Sequence, residues 1–480
     1  MRMFFNTDKI KSLSVQAKAA IWFTICSFLQ KGISFIVVPI FTRIMSTEQY
    51  GIYTVYVSWY QILNIISSLY LFNGVFDNAL SKFDKDRDRV TSAFLGLTIL
   101  ITVSEAAIAF VFREGLSALT GLNFEFLALM FIDAFLTPAL AYWTARQRFE
   151  YQYKFLVAVT MAKSIISPIL AIWLVNQSGG LAWGRAVAVV ISDAVFCGTL
   201  LIIQCIKGKR LYSKKYWGYA LKLGIPMIPH YLSGMILAQG DRIVIDKYLG
   251  KSDVAVYGLA SSIGMLVQIF VAAVNSAITP WMYDRMKKGT PEEMKPTMSF
   301  LMLFIALAAT GLMLLCPEVT MIFGSTKYAE SVNAIPPIAA SVFFIFLYGI
   351  LSFPQFYFER TAFLSVASFV AAGVNIILNI IFVPRFGYAA AAYTTLVCYI
   401  LYSVGHWALS RKILKDHNMP EYVDNKVMLL ISVFIVAMSI GMTFLIGCRL
   451  LRFCLIALII AFLFFNRRSI MNMVKSIKAK

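Results

Sequence analysis

Apolar residues recur in runs of about 20 along the whole chain, with short polar segments between them. A run of that length forms an α-helix that can cross a hydrocarbon core roughly 30 Å thick. The pattern predicts spans at 19–41, 52–76, 91–112, 124–144, 155–175, 186–206, 223–240, 254–279, 297–322, 338–356, 364–383, 389–409, 427–446 and 453–466. We therefore predict an all-α polytopic integral membrane protein with about 14 transmembrane helices.

Composition supports the same fold class. Of the 480 residues 60% are hydrophobic and only 14% are charged, whereas soluble domains carry about 25% charged residues. No soluble domain could cover so much apolar surface. The start of the chain, with Lys9, Lys11 and Lys18, runs into a full-length span without a small-residue cleavage site, so we predict no cleaved signal peptide.

The distribution of basic residues predicts the orientation in the membrane. Lys and Arg near helix ends are retained on the cytoplasmic side, and most of the 43 fall in alternate loops if both termini are cytoplasmic. We expect a multi-pass membrane protein with both termini cytoplasmic. The net charge of +19 then reflects topology and contact with anionic membrane lipids, and predicts no nucleic-acid partner.

An internal repeat predicts the domain organisation. Residues 42–54, TRIMSTEQYGIYT, correspond to residues 246–258, DKYLGKSDVAVYG, and Gly180-Leu181-Ala182 corresponds to Gly387-Tyr388-Ala389, at offsets of 204 and 207. Six spans per copy is an even number, so both copies have the same orientation. The predicted domains are a six-helix lobe at 1–206, a linker at 207–222, a six-helix lobe at 223–409, a loop at 410–426, two accessory helices at 427–466 and a basic tail at 467–480.

Several chemistries are unsupported by the sequence. Loops do not exceed about 20 residues, which leaves no room for a catalytic or nucleotide-binding domain. Gly250, Lys251 and Ser252 match the end of a Walker A loop, but Ile245 replaces its first glycine. The seven cysteines form no CxxC or Cys/His cluster. We predict no enzyme activity, no metal and no cofactor.

Several motifs of this chain resemble those of a known family. The stretch from Asp241 to Gly250, the stretch from Ser46 to Tyr53, the Gly-x-Ala pair and the duplicated unit are similar to the multidrug/oligosaccharidyl-lipid/polysaccharide (MOP) exporter superfamily, and within it to the Wzx-type flippases. The resemblance implies two six-helix lobes that open a cavity alternately to each side of the bacterial inner membrane. It also implies a lipid-linked oligosaccharide substrate carried on undecaprenyl pyrophosphate, such as an O-antigen unit, with a polysaccharide polymerase and chain-length regulator as partners.

Charged residues within predicted spans are costly and need a role, at about 2.5–3.5 kcal/mol each. Lys31 shares a helix face with Thr24, Ser27 and Ser34, and Lys163 shares one with Thr160 and Ser167. The residues predicted to bind the pyrophosphate and sugars of the substrate are Lys31, Lys163, Arg146, Arg148, Asn64, Gln268 and Asn275.

A second set of residues is predicted to take part in charge pairing or ion coupling. Its members are Asp77, Asp133, Asp193, His230 and Asp241. One hypothesis is that Lys31 and Lys163 bind substrate, and the other is that they pair with Asp133 and Asp193 in the lobe interior. Other bases near span ends, Arg43, Arg185 and Arg242, are interpreted as interface anchors.

Pro226 and Pro229 predict a bend or break in span seven, because each removes a backbone donor. Such a break suits a gating helix, and a static kink is the alternative. His230 beside it could titrate near neutral pH. The main alternative function is a multidrug and toxin extrusion antiporter, which would share the fold and use Asp77 or Asp133 to bind cations.

Overall fold

The computed structural model describes residues 14–360 and 362–466, all of whose regular structure is helical. The predicted basic start of the chain with Lys9 and Lys11, and the predicted basic tail at 467–480, lie outside these residues. The chain divides into two compact units, and the boundary falls between Met235 and Ile236.

Unit 1 begins with helices whose N-caps are serines: Ser14 and Ser46 accept the backbone N–H groups of Ala17 and Gln49. Its helices are α1 (Val15–Ile44), α2 (Thr47–Ser68), α3 (Val75–Lys82), α4 (Arg87–Val111), α5 (Arg113–Thr120), α6 (Phe124–Phe149), α7 (Tyr153–Gln177), α8 (Ala182–Gly208) and α9 (Lys214–Gly224). Helix α8 packs against α4, α6 and α7 and so forms the centre of this unit.

The chain continues from unit 1 into unit 2 within α10 (Ile228–Leu249). The remaining helices are α11 (Lys251–Gly264), α12 (Val267–Lys287), α13 (Lys295–Leu314), α14 (Cys316–Gly324), α15 (Ile335–Leu351), α16 (Phe353–Tyr357), α17 (Ala362–Phe386), α18 (Tyr388–Asp416), α19 (Asn425–Leu445) and α20 (Arg449–Phe465). Helices α15 and α18 form the central contact of unit 2.

The helices account for the predicted membrane spans. Within the described residues, eleven helical segments are long and apolar enough to cross a membrane. Helices α2, α10 and α20 occupy the other three predicted positions. The first two carry more polar side chains, and α20 has 17 residues, slightly fewer than the typical 20. The protein is therefore a multi-pass, all-α membrane protein.

The predicted linker at 207–222 is part of unit 1 instead of a free connection. Within it, α9 buries Tyr216 and Ala220 in a hydrophobic core shared with α3 and α4. Trp217 Nε1 donates to the Ala93 carbonyl at 2.7 Å, and Tyr216 Oη donates to Asp86 at 3.0 Å. These contacts hold the segment against the preceding helices, which is why the boundary between the units falls after it.

Of the two predicted accessory helices, α19 and α20, the second is held within unit 2 by a polar contact. Arg452 of α20 is 3% exposed. It donates to both carboxylate oxygens of Glu318 at 2.7 and 2.9 Å, and to the Leu314 carbonyl at 2.6 Å. A bidentate pair of this kind fixes orientation as well as contributing energy, so α20 has one defined position against α13 and α14.

Replacing Arg452 with alanine is expected to lower the Tm of the detergent-purified protein by roughly 2–6 °C, because Glu318 and the Leu314 carbonyl lose their donor. Arg449→Ala is the matched control, since Arg449 lies in the same turn but is exposed. Thermal unfolding monitored by tryptophan fluorescence measures both. Equal losses in the two variants would contradict the assignment.

The same ion pair has a pH dependence. The hydrogen bonds from Arg452 hold the pKa of the Glu318 carboxyl below its ordinary value of 4.5. Stabilisation by a carboxyl whose pKa is depressed on folding is complete above the unfolded pKa and is lost as the pH falls through the folded pKa. The difference in Tm between the wild type and Arg452→Ala should therefore be constant near pH 7 and shrink below about pH 4.5.

Candidate functional site

A cavity of about 440 Å³ lies within unit 1, where α1, α2, α6, α7 and α8 meet. Two bases, Lys163 and Arg185, line it, and none of its lining residues in the described part of the chain is acidic. The polar groups that share the lining are Gln30, Ser34, Tyr53, Thr160, Ser164 and Ser167. A cavity with a few convergent donors and a net positive lining suits an anionic, hydroxyl-rich ligand.

Arg185 is held in this cavity by aromatic rings. Its guanidinium carbon lies 3.8 Å from the centroid of the Phe41 ring and 3.9 Å from that of Tyr53, so the planar group is fixed between two faces. Its Nη1 atom is buried and has no hydrogen-bond partner among the described residues. A positioned guanidinium with an unused donor is suited to phosphate. The position of Arg185 near a span end predicted an interface anchor, and its place in this cavity was not predicted.

Lys163 reaches the cavity from α7 while forming an ion pair with Asp193 of α8. Asp193 is almost fully buried, whereas 22% of the Lys163 side chain is exposed. Cys197, one turn further along α8, lies 3.4 Å from the same carboxylate oxygen of Asp193. Lys163 is therefore paired with Asp193, while part of its side chain is exposed at the cavity.

Asp133 of α6 extends this cluster. It is 3% exposed and lies beside Asp193 and Tyr60. Tyr60 is in turn hydrogen-bonded to Thr137 at 2.8 Å. The cluster thus consists of two neighbouring buried carboxyls and the ammonium group of Lys163, which faces the basic cavity.

Lys31 differs from Lys163, because it is exposed and forms no ion pair with any described residue. Thr24, Ser27 and Ser34 on the same face are also exposed. Ser34, one turn from Lys31, lines the cavity, so helical spacing places Lys31 at its border. The polar stripe predicted from the sequence is thus an exposed face next to the cavity, on which the hydroxyls of Thr24 and Ser34 donate to carbonyls of their own helix.

Arg146, which was predicted to bind the substrate, forms ion pairs with neighbouring acids. It pairs with Asp88 and donates to Glu150 at 3.0 Å. Arg148 lies near Asp77, where burial raises the pKa of the carboxyl and the positive charge of Arg148 partly opposes that shift. Both arginines lie away from the cavity lining.

The three amides predicted to contact sugars are not brought together. Asn64 of α2 is half-buried, and its Oδ1 atom accepts no hydrogen bond from the described residues. Gln268 is in the first turn of α12, just after the break that separates this helix from α11. Asn275 lines a separate cavity of about 250 Å³ within unit 2. None of the three lines the basic cavity.

Asp241 is the centre of a second buried cluster, within unit 2. The side chain is 3% exposed and accepts hydrogen bonds from Asn379 Nδ2 at 2.7 Å, Thr395 Oγ1 at 2.8 Å and Tyr257 Oη. Asn375 extends the network, since its Nδ2 donates to Thr395 at 2.9 Å. The three partners of Asp241, together with Asn375, come from three helices and were not predicted as site residues.

The prolines predicted to interrupt span seven lie at a helix junction. Helix α9 ends at Gly224, a 3₁₀ turn covers Ile225–Met227, and α10 begins at Ile228. Pro226 is within the 3₁₀ turn and Pro229 is in the first turn of α10, where a missing backbone N–H costs no hydrogen bond. His230 follows, beside the ring of Tyr231.

Comparisons with known proteins agree with this architecture. A family model described as "polysaccharide biosynthesis protein" matches residues 17–286. Lsg locus putative protein 1 of Haemophilus influenzae is 23% identical over 336 residues, which cover 65% of this chain and 78% of that protein. The succinoglycan biosynthesis transport protein ExoT of Rhizobium meliloti is 24% identical over 268 residues, which cover 54% of this chain and 52% of that protein.

Among solved structures, the fold is similar to that of the lipid II flippase MurJ in an inward closed conformation. The TM-score is 0.73 at 17% sequence identity, and the match covers 94% of this chain and 100% of the other. At this identity the likeness shows the fold alone.

Proposed function

Because this chain belongs to the polysaccharide biosynthesis protein family and has the MOP exporter fold, we propose that it is a flippase for an undecaprenyl-pyrophosphate-linked oligosaccharide. The substrate class includes O-antigen and related repeat units. Transport proceeds from the cytoplasmic to the periplasmic leaflet of the bacterial inner membrane, with both termini cytoplasmic. A polysaccharide polymerase and a chain-length regulator would receive the product.

The observation that carries this proposal is the basic cavity of unit 1. A pyrophosphate has two groups to satisfy, and Arg185 offers a planar donor with an unused Nη1 while Lys163 offers a compact positive charge. The hydroxyls of Ser34, Ser164 and Ser167 on the same lining are suited to sugar hydroxyls. The long prenyl chain needs no protein site, because it can stay in lipid.

Ion coupling is proposed for the buried acids. Asp133 and Asp193 lie beside Lys163, so a change in their charge would alter the electrostatics of the substrate cavity directly. Asp241 in unit 2 is a second candidate for ion coupling, since hydroxyl and amide groups surround its buried carboxyl. The prolines at 226 and 229 are proposed to flank the segment that changes conformation, with His230 as a further titratable group.

A cation antiporter of the same fold is the competing function, and it would use Asp77 or Asp133 to bind cations. Asp133 and its neighbour Asp193 lie behind Lys163, however, and the cavity itself is lined by bases. A lining of that charge repels cationic substrates and attracts anionic ones. The electrostatics therefore favour the lipid-linked sugar.

A proteoliposome assay with two substrates separates the two functions. Purified protein is supplied with a fluorescent polyprenyl-pyrophosphate oligosaccharide and, in parallel, with a fluorescent organic cation. The flippase proposal expects movement of the lipid-linked sugar alone. Movement of the cation alone would overturn it and transfer the mechanism to Asp77 and Asp133.

The same assay tests Lys31. Replacing Lys31 with glutamine is expected to reduce sugar-lipid flipping by about threefold to tenfold, since an exposed charge at the cavity border attracts the pyrophosphate through partly screened solvent. Lys31→Arg should retain most activity, and the reduction should weaken as salt rises. Unchanged flipping by Lys31→Gln at normal protein level would remove Lys31 from the mechanism.

A further inference from the structure

An apolar groove of about 740 Å³ runs along unit 2 between α15, α18 and α19. Leu347, Val404, Leu429, Val433 and Ile440 are among the side chains that line it. Ser403, a polar member of the lining, donates its hydroxyl to backbone carbonyls of Phe344 and Tyr399. The groove therefore offers a ligand mostly hydrocarbon, and a chain without polar groups is the ligand that suits it.

A second cavity, of about 700 Å³, lies in the same unit at the end of α18 and in the loop that follows it. Its charged lining residues are Arg411, Lys412, Lys415 and Glu421. Arg411 donates to Glu421 at 2.6 Å, so the single acid is already paired. Lys412 and Lys415 are exposed and form no ion pair with any described residue. The cavity thus keeps two ammonium groups available to an anion.

Trp407 joins the two cavities, because it lines both. Its ring packs under the guanidinium of Arg411, 5.2 Å from the centroid, and its Nε1 donates to Asn425 Oδ1 at 2.8 Å. A tryptophan with an apolar ring and a polar edge is typical of the membrane–water interface. Lys426, next to Asn425, lines the groove at this same end.

We propose that this composite site binds an anionic phospholipid, with an acyl chain in the groove and the phosphate against Lys412 and Lys415. The order of features matches one lipid molecule: hydrocarbon, then an interfacial tryptophan, then two bases. The loop lies on the side where lysine and arginine predominate, which is the cytoplasmic leaflet in the proposed topology. The site consists of unit 2 residues only, whereas the cavity proposed for substrate consists of unit 1 residues only.

Quenching of Trp407 by brominated lipid tests the proposal in nanodiscs that contain the full chain. Two lipid mixtures of the same composition are compared, one with brominated phosphatidylglycerol and the other with brominated phosphatidylcholine. The variant Trp407→Phe measures the quenching of the other tryptophans, which is subtracted as background. Brominated phosphatidylglycerol is expected to occupy the site with roughly tenfold preference over phosphatidylcholine, since two bases face its phosphate. Equal quenching by the two lipids in the wild type would overturn the proposal.

Matched double variants assign the preference to the basic cavity. Lys412→Gln/Lys415→Gln should abolish the head-group preference, whereas Lys207→Gln/Lys214→Gln, which removes two exposed lysines of unit 1, should leave it unchanged. Loss of preference in both would reduce the effect to bulk charge and refute the site. Displacement of the quencher by undecaprenyl phosphate but not by unbrominated phosphatidylglycerol would instead make this a prenyl site and also refute the proposal. Neither result depends on flipping activity, so failure here leaves the proposed function intact.

Discussion

Arg185→Gln is expected to slow flipping at low substrate concentration by about tenfold or more. The variant removes a charge-assisted donor to the pyrophosphate, and a hydrogen bond to a charged group contributes about 1.5–3 kcal/mol. Because the guanidinium is already fixed between the Phe41 and Tyr53 rings, the donor requires little ordering when the substrate binds. The effect should therefore appear mainly as a higher half-saturating substrate concentration. The measurement is a substrate titration in proteoliposomes with matched protein content.

Two variants define the interpretation of that result. Arg185→Lys keeps the positive charge but loses the planar, stacked geometry, so intermediate activity is expected. Arg210→Gln removes an exposed arginine of the 207–213 segment and should behave as wild type. If Arg185→Gln binds and flips substrate normally while remaining folded, the guanidinium is only a packing element between two rings and the cavity is not the pyrophosphate site.

Asp241→Ala is expected to lower the Tm by more than about 5 °C and to abolish flipping. Asn379, Thr395 and Tyr257 would lose a common acceptor, and each buried donor left unsatisfied costs about 1–3 kcal/mol. Asp241→Asn keeps the size of the side chain, so it should recover part of the stability. If the carboxyl also couples an ion to transport, flipping by Asp241→Asn should remain at background.

Asp246→Asn is the matched control for this position. Asp246 is on the same helix but has a simpler environment, in which Lys251 donates to it at 2.6 Å. We expect a smaller loss of stability than for Asp241→Ala, because the half-buried Asp246 carboxyl accepts from one described side chain, Lys251, and we expect nearly normal flipping. Thermal unfolding in detergent and the flipping assay, run on both variants, decide the outcome. Normal flipping by a folded Asp241→Asn would exclude a coupling role for the carboxyl.

Much of the fold could be predicted because a membrane span is recognised from the apolar composition of a short segment. A run of apolar residues needs no tertiary information to be recognised, and the described helices fall at the predicted positions. Residues 207–222 were predicted as a linker because the short, amphipathic α9 that begins within them was not recognised. Its buried side chains, Tyr216 and Ala220, are separated by four positions, which is a helical spacing. The segment has the length of an ordinary loop, so this spacing was not recognised as a helix.

The candidate site could be predicted only in part, since a partner on another helix is invisible in the sequence. Lys163 was recognised as a base within a span, but its ion pair with Asp193 depends on the contact between α7 and α8. Arg185 was missed because it lies near a span end, where bases usually anchor at the interface. The aromatic residues Tyr50 to Tyr56 could have indicated a partner for a buried base. Only the packing, however, shows that Tyr53 stacks on Arg185.

The contact of Arg452 with Glu318 also sets an order on biogenesis. The two residues are 134 positions apart, so Glu318 enters the membrane long before its partner is synthesised. Until α20 is synthesised, Glu318 and the Leu314 carbonyl lack this donor, and α13 lacks its contact with α20. Assembly of unit 2 is thus completed after translation of the last described helix, and a nascent chain arrested before Arg449 would present that open face to chaperones and membrane proteases.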